Sequence, residues 1–392
     1  MNMNEQMKES EESILHTYNR FPVVFEKGQG CYLYDSEGKE YLDFAAGIAV
    51  NSLGYHYPGY DEALKDQIDK LMHISNLYYN EPIIEAGAKL VKASKMSKAF
   101  FTNSGTEAIE GALKAAKKYA YVRDGHADHE IIAMNHSFHG ALSVTGTAHY
   151  REPFEPLMGG VKFADFNDLE SVKAQITDKT CAIITEVVQG EGGIYPAKKE
   201  FLEGLRQICD EKDIMLIFDE IQCGMGRTGH YFAWQAYGVQ PDIMTSAKAL
   251  GCGVPVGAFV LNEKAAKASL EPGDHGTTYG GNPFVCAAVS KVFDIYENDK
   301  IIEHVQEMTP YLEQKLDEIV AKHECAATRR GMGFMQGIVI QGRPVGEVVK
   351  AALAKGLLVI SAGSDVLRIV PPLVITKEHI DKMAAILDEC MK

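Results

Sequence analysis

The 392-residue sequence has no long hydrophobic run and no cluster of basic residues. Its apolar stretches are far shorter than the ~20 residues of a membrane-spanning helix. Its first 14 residues are acidic and polar, where a secretory signal peptide would carry basic residues and an apolar core. Lys and Arg number 39 against 54 Asp and Glu, a net charge of −15. Because nucleic-acid binding relies on clustered cations, we expect a cytoplasmic protein with no nucleic-acid or membrane partner.

Closely spaced metal ligands are also scarce. The eight cysteines stand at positions 31, 181, 209, 223, 252, 286, 325 and 390, without a CxxC or zinc-type spacing. We expect them to be reduced thiols, mostly in the core. His126 and His129, like His136 and His139, are three residues apart in predicted loops without a nearby carboxylate set. The sequence therefore predicts no metal site.

From about Pro82 to Asn262, short apolar runs alternate with helical patterns, which is typical of a parallel sheet covered by helices. The predicted strands are Lys98–Thr102, Glu130–Met134, Thr180–Thr185, Ile214–Phe218, Asp242–Ser246 and Gly257–Leu261. The predicted helices are Ile83–Ser94, Thr106–Val122, Leu169–Ile176 and Glu200–Glu211, with Asn167 or Asp168 capping the third. The fold class predicted from this pattern is α/β with a doubly wound, mostly parallel sheet.

Domain boundaries rest on changes of pattern, because the sequence contains no repeat, low-complexity segment or Ser/Gly linker. After Asn282 the pattern changes to long helices and short strands. The helices are predicted at Phe284–Asn298 and Lys300–Lys322, and the strands at Met335–Ile340, Leu357–Ile360 and Val366–Ile369. We predict a large domain at residues 76–283, a smaller α+β domain at 284–392, and an N-terminal segment, 1–75, that contributes to the small domain. This segment contains a hairpin pattern at residues 30–43.

Ligands of doubly wound sheets bind at the carboxyl ends of the strands. Asn103–Glu107 follows the first predicted strand and enters a helix, where unpaired N–H groups suit a phosphate, although a Ser or Thr there can simply cap the helix. Asp219 and Lys248 each follow a later strand. Taken alone, an Asp and a Lys at one sheet edge are favoured as a structural ion pair. With a phosphate cradle beside them they indicate a pyridoxal phosphate site, in which the lysine forms a Schiff base and the carboxylate holds the ring nitrogen protonated.

The chain from about Phe21 to Ile386 resembles the class III, fold type I aminotransferases, and within them the acetylornithine aminotransferase group. Any single motif could arise by chance, whereas the ordered set is specific. The motifs are Asn103–Glu107, Ser137–Gly140, Gln189–Gly193, Asp219–Gln222 with Gly226–Gly229, Ala247–Gly251, His275–Pro283, and Leu367–Arg368 before Pro371–Leu373. The resemblance implies a fold type I transferase in which Lys248 holds pyridoxal 5'-phosphate and shuttles a proton.

The resemblance also implies the other cofactor contacts. Asp219 pairs with the pyridinium nitrogen, Gln222 approaches the ring hydroxyl and Phe138 covers the ring. The N–H groups of Gly105 and Thr106 hold the phosphate. Thr278 of a second subunit joins them, which makes the homodimer with shared sites the active unit.

Further residues match the family's substrate contacts. In the family's carboxylate switch, Arg368 is paired with Glu191 for the amino donor and released to bind the α-carboxylate of glutamate or 2-oxoglutarate. Without the resemblance, Arg368 would be taken for a solvent-facing strand residue and Glu191 for a loop charge. Thr277 and Ile48 are further expected substrate contacts. Ornithine-type members usually have Tyr where Ile48 stands, so Ile48 favours an acetylated or other ω-amino substrate.

The segment after Gly140 departs from the family pattern. Relatives commonly carry Arg there, which binds the carboxylate of the first substrate, but this chain has Ala141 and a shortened segment. We expect transfer of the ω-amino group of N-acetylornithine to 2-oxoglutarate, as in arginine biosynthesis. The alternatives are 4-aminobutyrate, ornithine or succinylated donors, an aminomutase, or a binding protein with impaired catalysis. A nicotinamide dehydrogenase is disfavoured because no GxGxxG follows a strand and opens a helix.

Overall fold

The computed structural model describes residues 2–392. The strands are β1 (Phe25–Gln29), β2 (Tyr32–Asp35), β3 (Glu40–Asp43), β4 (Lys98–Thr102), β5 (Glu130–Met134), β6 (Val161–Ala164), β7 (Thr180–Glu186), β8 (Val188–Gln189), β9 (Tyr195–Pro196), β10 (Met215–Asp219), β11 (Ile243–Ser246), β12 (Gly257–Leu261), β13 (Ala326–Met332), β14 (Met335–Ile340), β15 (Leu357–Leu358), β16 (Ile360–Ala362) and β17 (Val366–Ile369).

The helices complete the element order. They are α1 (Met3–Ser13), α2 (Ala46–Ala49), α3 (Tyr60–Lys70), α4 (Glu81–Ser94), α5 (Gly105–Asp124), α6 (Ala148–Arg151), α7 (Leu169–Gln175), α8 (Lys199–Lys212), α9 (Trp234–Tyr237), α10 (Glu263–Lys267), α11 (Pro283–Asn298), α12 (Ile301–Lys322), α13 (Val345–Ala354) and α14 (Lys377–Cys390). Within residues 2–392, we find no helix that is both long and apolar enough to cross a membrane.

A seven-stranded sheet forms the centre of the molecule, in the order β4-β12-β11-β10-β7-β5-β6. All six predicted strands of this region lie in it, and β12 alone runs antiparallel to its neighbours β11 and β4. The α/β fold is thereby confirmed. The edge strand β6 was not predicted, because it offers four residues, of which only Ala164 is fully buried. A short edge strand carries too little apolar periodicity to be recognised.

Helices cover the sheet where their apolar faces were predicted. In α5, the small buried residues Ala108, Gly111 and Ala115 face the sheet, and a Cβ on Gly111 would come within 2.2 Å of the Phe259 ring. The close approach of helix and strand therefore requires glycine at this position. The side chain of Asp168 caps α7 by accepting from the N–H groups of Glu170 and Ser171, one of the two caps predicted.

Two four-stranded sheets accompany the central one, and the first of them joins the two ends of the chain. One has the order β1-β2-β3-β15 and contains the predicted N-terminal hairpin, while the other has the order β13-β14-β17-β16. The expected single strand Leu357–Ile360 is wrong: β15 pairs with β3, and β16 pairs with β17 in the other sheet. A continuous apolar run in the sequence does not show that one strand ends before Val359 and that the residues after it pair in a different sheet. The domain boundaries stay a prediction, which the β3–β15 pairing supports.

The segment α2 is a left-handed turn in which φ is +48° at Ala46, +63° at Gly47, +63° at Ile48 and +62° at Ala49. Left-handed backbone costs about 1–2 kcal/mol for each non-glycine residue. Asp43 offsets this cost, because its buried Oδ1 accepts from the N–H groups of Ala45 (2.9 Å) and Ala46 (2.8 Å). The strain is therefore held by a specific side chain, and Ile48 is left exposed at the surface.

Seven of the eight cysteines are buried and Cys325 is partly buried, in agreement with their predicted place in the core. Each is a free thiol. Burial raises the pKa of the Cys31, Cys181 and Cys286 thiols to about 12. These side chains therefore behave as small apolar residues.

Candidate active site

Strands β7, β10 and β11 end beside the start of α5, and the space between them is a cavity of about 410 Å³. Six of the residues predicted for the site line it: Gly105, Thr106, Phe138, Asp219, Gln222 and Lys248. They come from segments that are far apart in the sequence. Parallel pairing brings them together, because the carboxyl ends of neighbouring parallel strands meet at one edge of the sheet.

The start of α5 forms one end of the cavity. The side chain of Ser104 caps the helix by accepting from the N–H of Glu107. The N–H groups of the first turn have no partner within a helix, so those of Gly105 and Thr106 are available to an anion. Two glycines keep this space open. A Cβ on Gly105 would lie 2.9 Å from the Ile221 side chain, and one on Gly140 would lie 2.4 Å from the Thr106 hydroxyl.

Asp219 is the last residue of β10 and is 3% exposed. Its Oδ2 lies 2.7 Å from Nδ1 of His139, and its Oδ1 accepts from the N–H of Ile221 (2.9 Å) and the hydroxyl of Thr245 (3.3 Å). These contacts come from three different segments and fix the orientation of the carboxylate. The carboxylate is therefore held at a defined place in the cavity wall.

A second carboxyl group, Glu186, lies beside Asp219 and was missed by sequence analysis. The two residues pair across β7 and β10. Glu186 Oε1 accepts from the N–H of Gly190 (3.3 Å), whereas its Oε2 is buried without a partner. Burial and the negative charge of Asp219 hold the pKa of Glu186 well above its usual range. The signal was available, because Glu186 follows an apolar strand just as Asp219 does.

Lys248 follows β11 and starts a short 3₁₀ turn, Lys248–Leu250, with φ of +49°. Left-handed backbone at a bulky residue is strained and is typical of functional sites. Burial and the nearby positive charge of Arg368 lower the pKa of the Lys248 amine to about 8, against the opposing effects of Glu191 and Asp219. The amine is therefore neutral in a substantial fraction of molecules near neutral pH, as a nucleophile and proton carrier must be.

Arg368 and Glu191 form a buried ion pair across the other side of the site. Arg368 Nη1 lies 2.6 Å from Glu191 Oε1 and donates to Gln222 Oε1 at 3.1 Å, and Nη2 donates to the Ser361 carbonyl at 3.1 Å. Arg368 is 3% exposed, so it is not the solvent-facing strand residue that its sequence position alone favoured. Gln222 connects this pair to the cavity, which it also lines.

The remaining predicted residues lie around the rim. Phe138 lines the cavity with its ring 41% exposed, packed edge-on against Tyr150. Thr277 accepts from Asn103 Nδ2 (3.3 Å) at the cavity edge, whereas Thr278 is exposed and does not line this chain's cavity. Ile48 is also exposed outside it, although its neighbour Val50 lines it.

The shortened segment after Gly140 leads away from the cavity. Ala141 is 3% exposed and belongs to the hydrophobic cluster between α5 and the sheet. Arg151, the next arginine along the chain, stacks its guanidinium on the Phe163 ring at 4.1 Å. Neither residue lines the cavity. The position at which relatives commonly carry an arginine has therefore become part of the core.

The histidines predicted to lack a carboxylate neighbour have one. His126, His129 and Asp124 lie together, so that expectation is wrong. However, Arg123 donates to both oxygens of Asp124 at 2.6 Å, and the two imidazole rings stack face to face at 4.7 Å. The contacts of these three side chains thus include a salt bridge to Arg123 and a ring stack.

Comparison with known proteins decides the family. The family "Aminotransferase class-III" matches residues 14–391. The chain belongs to the class III aminotransferases. It is 47% identical over 388 residues to the acetylornithine aminotransferase of Clostridium acetobutylicum, covering 98% of this chain and 100% of that protein. It is 44% identical to the succinylornithine transaminase of Yersinia pseudotuberculosis, covering 94% and 92%. Ornithine aminotransferase from Toxoplasma gondii, solved with partial occupancy of pyridoxal phosphate, matches with a TM-score of 0.95 and 28% identity, covering 99% of this chain and 94% of that one.

The cofactor of this aminotransferase is pyridoxal phosphate, and the residues of the cavity fit it. The start of α5 offers N–H groups and open space for the phosphate, and Lys248 and Asp219 line the same cavity. When bound, pyridoxal phosphate supplies an electron sink for the carbon that loses a proton. Lys248 is the residue that would hold the cofactor and carry the proton. Asp219, whose carboxylate is oriented by His139, would pair with the ring nitrogen.

The pH dependence of cofactor capture tests the Lys248 environment. Only the neutral amine attacks an aldehyde, so capture of pyridoxal phosphate by the apoprotein should become faster as pH rises through about 8. Arg368→Met should move this midpoint to higher pH, because it removes a positive charge that lowers the pKa of the amine. Stopped-flow absorbance measures the rate, with Arg343→Met as a control remote from the cavity. A midpoint above pH 10 in the native protein contradicts the burial argument.

A matched pair of substitutions separates the two neighbouring carboxyl groups. Glu186→Gln puts an amide in place of a carboxyl group whose pKa is held well above its usual range, so kcat/KM should fall by less than ~3-fold. Asp219→Asn removes a charge that acts on the cofactor, so kcat/KM should fall by more than ~100-fold. Steady-state kinetics with cofactor in excess measure both variants. Equal losses would show that Glu186 is ionised in the active enzyme.

Proposed function

We propose that this aminotransferase moves the ω-amino group of N-acetylornithine to 2-oxoglutarate, producing the semialdehyde and glutamate, as a step of arginine biosynthesis in the cytoplasm. Its donor would leave as the aldehyde before the acceptor enters, in a ping-pong cycle. The identity to the Clostridium acetobutylicum enzyme over the whole chain supports this donor. The roles given below to individual residues belong to the same proposal.

The observation that carries the proposal is the Arg368–Glu191 pair beside the Lys248 cavity. An arginine already bound to a carboxylate side chain can exchange it for a substrate carboxylate with little change of electrostatic energy. Glycines 192 and 193 follow Glu191, and Gly193 has φ of +117°, a conformation that glycine adopts without strain. Arg368 would therefore bind glutamate or 2-oxoglutarate after Glu191 moves away, and Thr277 would contact the substrate at the rim.

A second candidate donor is N-succinylornithine. It differs from the first in its acyl group and is supported by the relative from Yersinia pseudotuberculosis. Ornithine, 4-aminobutyrate and an aminomutase reaction are further alternatives from the sequence. A cofactor-binding relative with impaired catalysis is the alternative that the shortened segment at Ala141 raises. All of them retain the same cofactor site and differ in what enters the cavity.

A donor panel tests the proposed function. Purified protein with pyridoxal phosphate and 2-oxoglutarate should form glutamate fastest with N-acetylornithine, and more slowly with N-succinylornithine, ornithine and 4-aminobutyrate. Coupled glutamate dehydrogenase measures the rates. Lys248→Ala, which lacks the amine that carries the proton, is the inactive control. If no ω-amine gives glutamate while pyridoxal phosphate binds, the protein is a cofactor-binding relative rather than this enzyme.

We further propose that the active unit is a homodimer. Large apolar side chains are exposed at Met72, Leu77, Tyr79, Ile84 and Tyr279. They form one surface, since the backbone N–H of Phe284 donates to the carbonyl of Met72, and the ring of His73 packs against that of Tyr279. Exposed apolar patches of this kind are typical of interaction sites. Thr278 is exposed on the same surface, where it would reach the phosphate of the partner subunit.

Substitutions on this surface test the dimer. Changing Leu77 and Tyr79 together to Glu should convert dimers to monomers, because each side chain is at least 86% exposed in the single chain and would be buried in the dimer. Activity should fall with the loss of the partner's Thr278. Sedimentation velocity gives the mass. Tyr121→Glu, an exposed aromatic on α5, is the matched control. A native protein that sediments as a monomer and is fully active overturns the proposal.

A further inference from the structure

The cavity offers a donor very few cations. Among residues 2–392, Lys248 is the only lysine or arginine whose side chain lines it. His139 also lines it, but its Nδ1 is engaged by Asp219. The other ionisable side chains of the wall are the carboxyl groups of Asp219 and Glu186. A carboxylate that entered with the donor would therefore meet acidic groups and the amine that must stay free for chemistry.

Arg368 does not supply the missing charge while Glu191 is in place. Both Nη atoms of Arg368 are occupied, by Glu191, Gln222 and the Ser361 carbonyl, and only Nε is without a partner. A donor carboxylate could bind Arg368 only by displacing Glu191. That exchange is the step assigned to glutamate and 2-oxoglutarate, so it would make the donor a competitor of the acceptor.

No nearby segment replaces the anchor. Ala141 is buried in the hydrophobic cluster under α5, and Arg151 is stacked on Phe163. Part of the cavity wall is apolar instead. It is formed by Val50, Val254, Pro255 and Val256. An ionised carboxylate against such a wall loses hydration without gaining a partner, whereas methylene and acyl groups gain contact.

We propose that the donor half of the site recognises the ω-amine and the uncharged acyl tail, and does not require an α-carboxylate. This inference rests on the proposed function and widens its donor class to N-acylated diamines that carry no carboxylate. A carboxylate held by a charge-assisted pair contributes about 10- to 100-fold to kcat/KM. Because this chain has no such pair for the donor, the carboxylate of N-acetylornithine should contribute almost nothing.

N-Acetylputrescine provides the test, since it is N-acetylornithine without the carboxylate. The holoenzyme should use the two donors with kcat/KM values within about 3-fold of each other. A preference of more than about 10-fold for N-acetylornithine would show an anchor and overturn this inference alone. If neither donor reacts while glutamate converts the cofactor normally, the proposed function fails and this inference fails with it. Reaction with N-acetylputrescine alone supports the inference and overturns N-acetylornithine as the donor.

Adding a cation to the apolar wall gives an independent readout. Val50→Arg should raise the preference for N-acetylornithine over N-acetylputrescine by about 10-fold, because the carboxylate then gains a partner. Val50→Met, with an unbranched uncharged side chain, is the matched control and should leave the ratio of the two donors unchanged. Direct binding of N-acetyl-γ-aminobutyrate, an anion with no free amine, should tighten in Val50→Arg only. No change in either quantity for Val50→Arg contradicts the proposed lack of an anchor.

Discussion

The parallel pairing of β7, β10 and β11 is the constraint on which the active site depends. Asp219 lies opposite Glu186 on one side and Thr245 on the other. Two carboxyl groups so close in a buried place cannot both ionise at ordinary cost. Asp219 has His139 and two further partners, whereas Glu186 has a single N–H donor. Of the two, Glu186 is the carboxyl group whose pKa is held well above its usual range.

Two positively charged side chains of the site, Lys248 and Arg368, also lie close to one another. Lys248 and Arg368 are both buried cations, and each makes the other's charge more costly. Arg368 stays charged because a guanidinium is always protonated, and it is paired with Glu191. Lys248 responds instead by a lowered pKa. The two side chains thus differ in their response to the repulsion between them: the pKa of Lys248 is lowered, whereas Arg368 is paired with Glu191.

Much of the architecture could be predicted because it depends on local pattern. Each strand of the central sheet except β6 is a short apolar run, and the hairpin of β2 and β3 has a glycine turn. Asp219 and Lys248 were found because charged residues after buried strands are conspicuous. Glu186 follows the same rule and was overlooked, since nothing local shows that it faces the cavity. The division of Leu357–Ile360 between two sheets depends on distant partners, so no local pattern predicts it.

By itself, the sequence determined the α/β fold class, the order of the elements and the family, because apolar periodicity and the order of motifs are properties of the linear sequence. Only the tertiary structure decided which charged groups lie close enough to change one another's pKa. The lowered pKa of Lys248, the raised pKa of Glu186 and the engagement of Arg368 arise from side chains that are up to 177 residues apart and share one buried space. Tertiary packing also decides which cations reach the cavity. Within residues 2–392, Lys248 is the only lysine or arginine that lines it, since Ala141 packs in the core and Arg151 stacks on Phe163. Electrostatic energy depends on the distance between charged groups and on their burial, and a linear sequence gives neither.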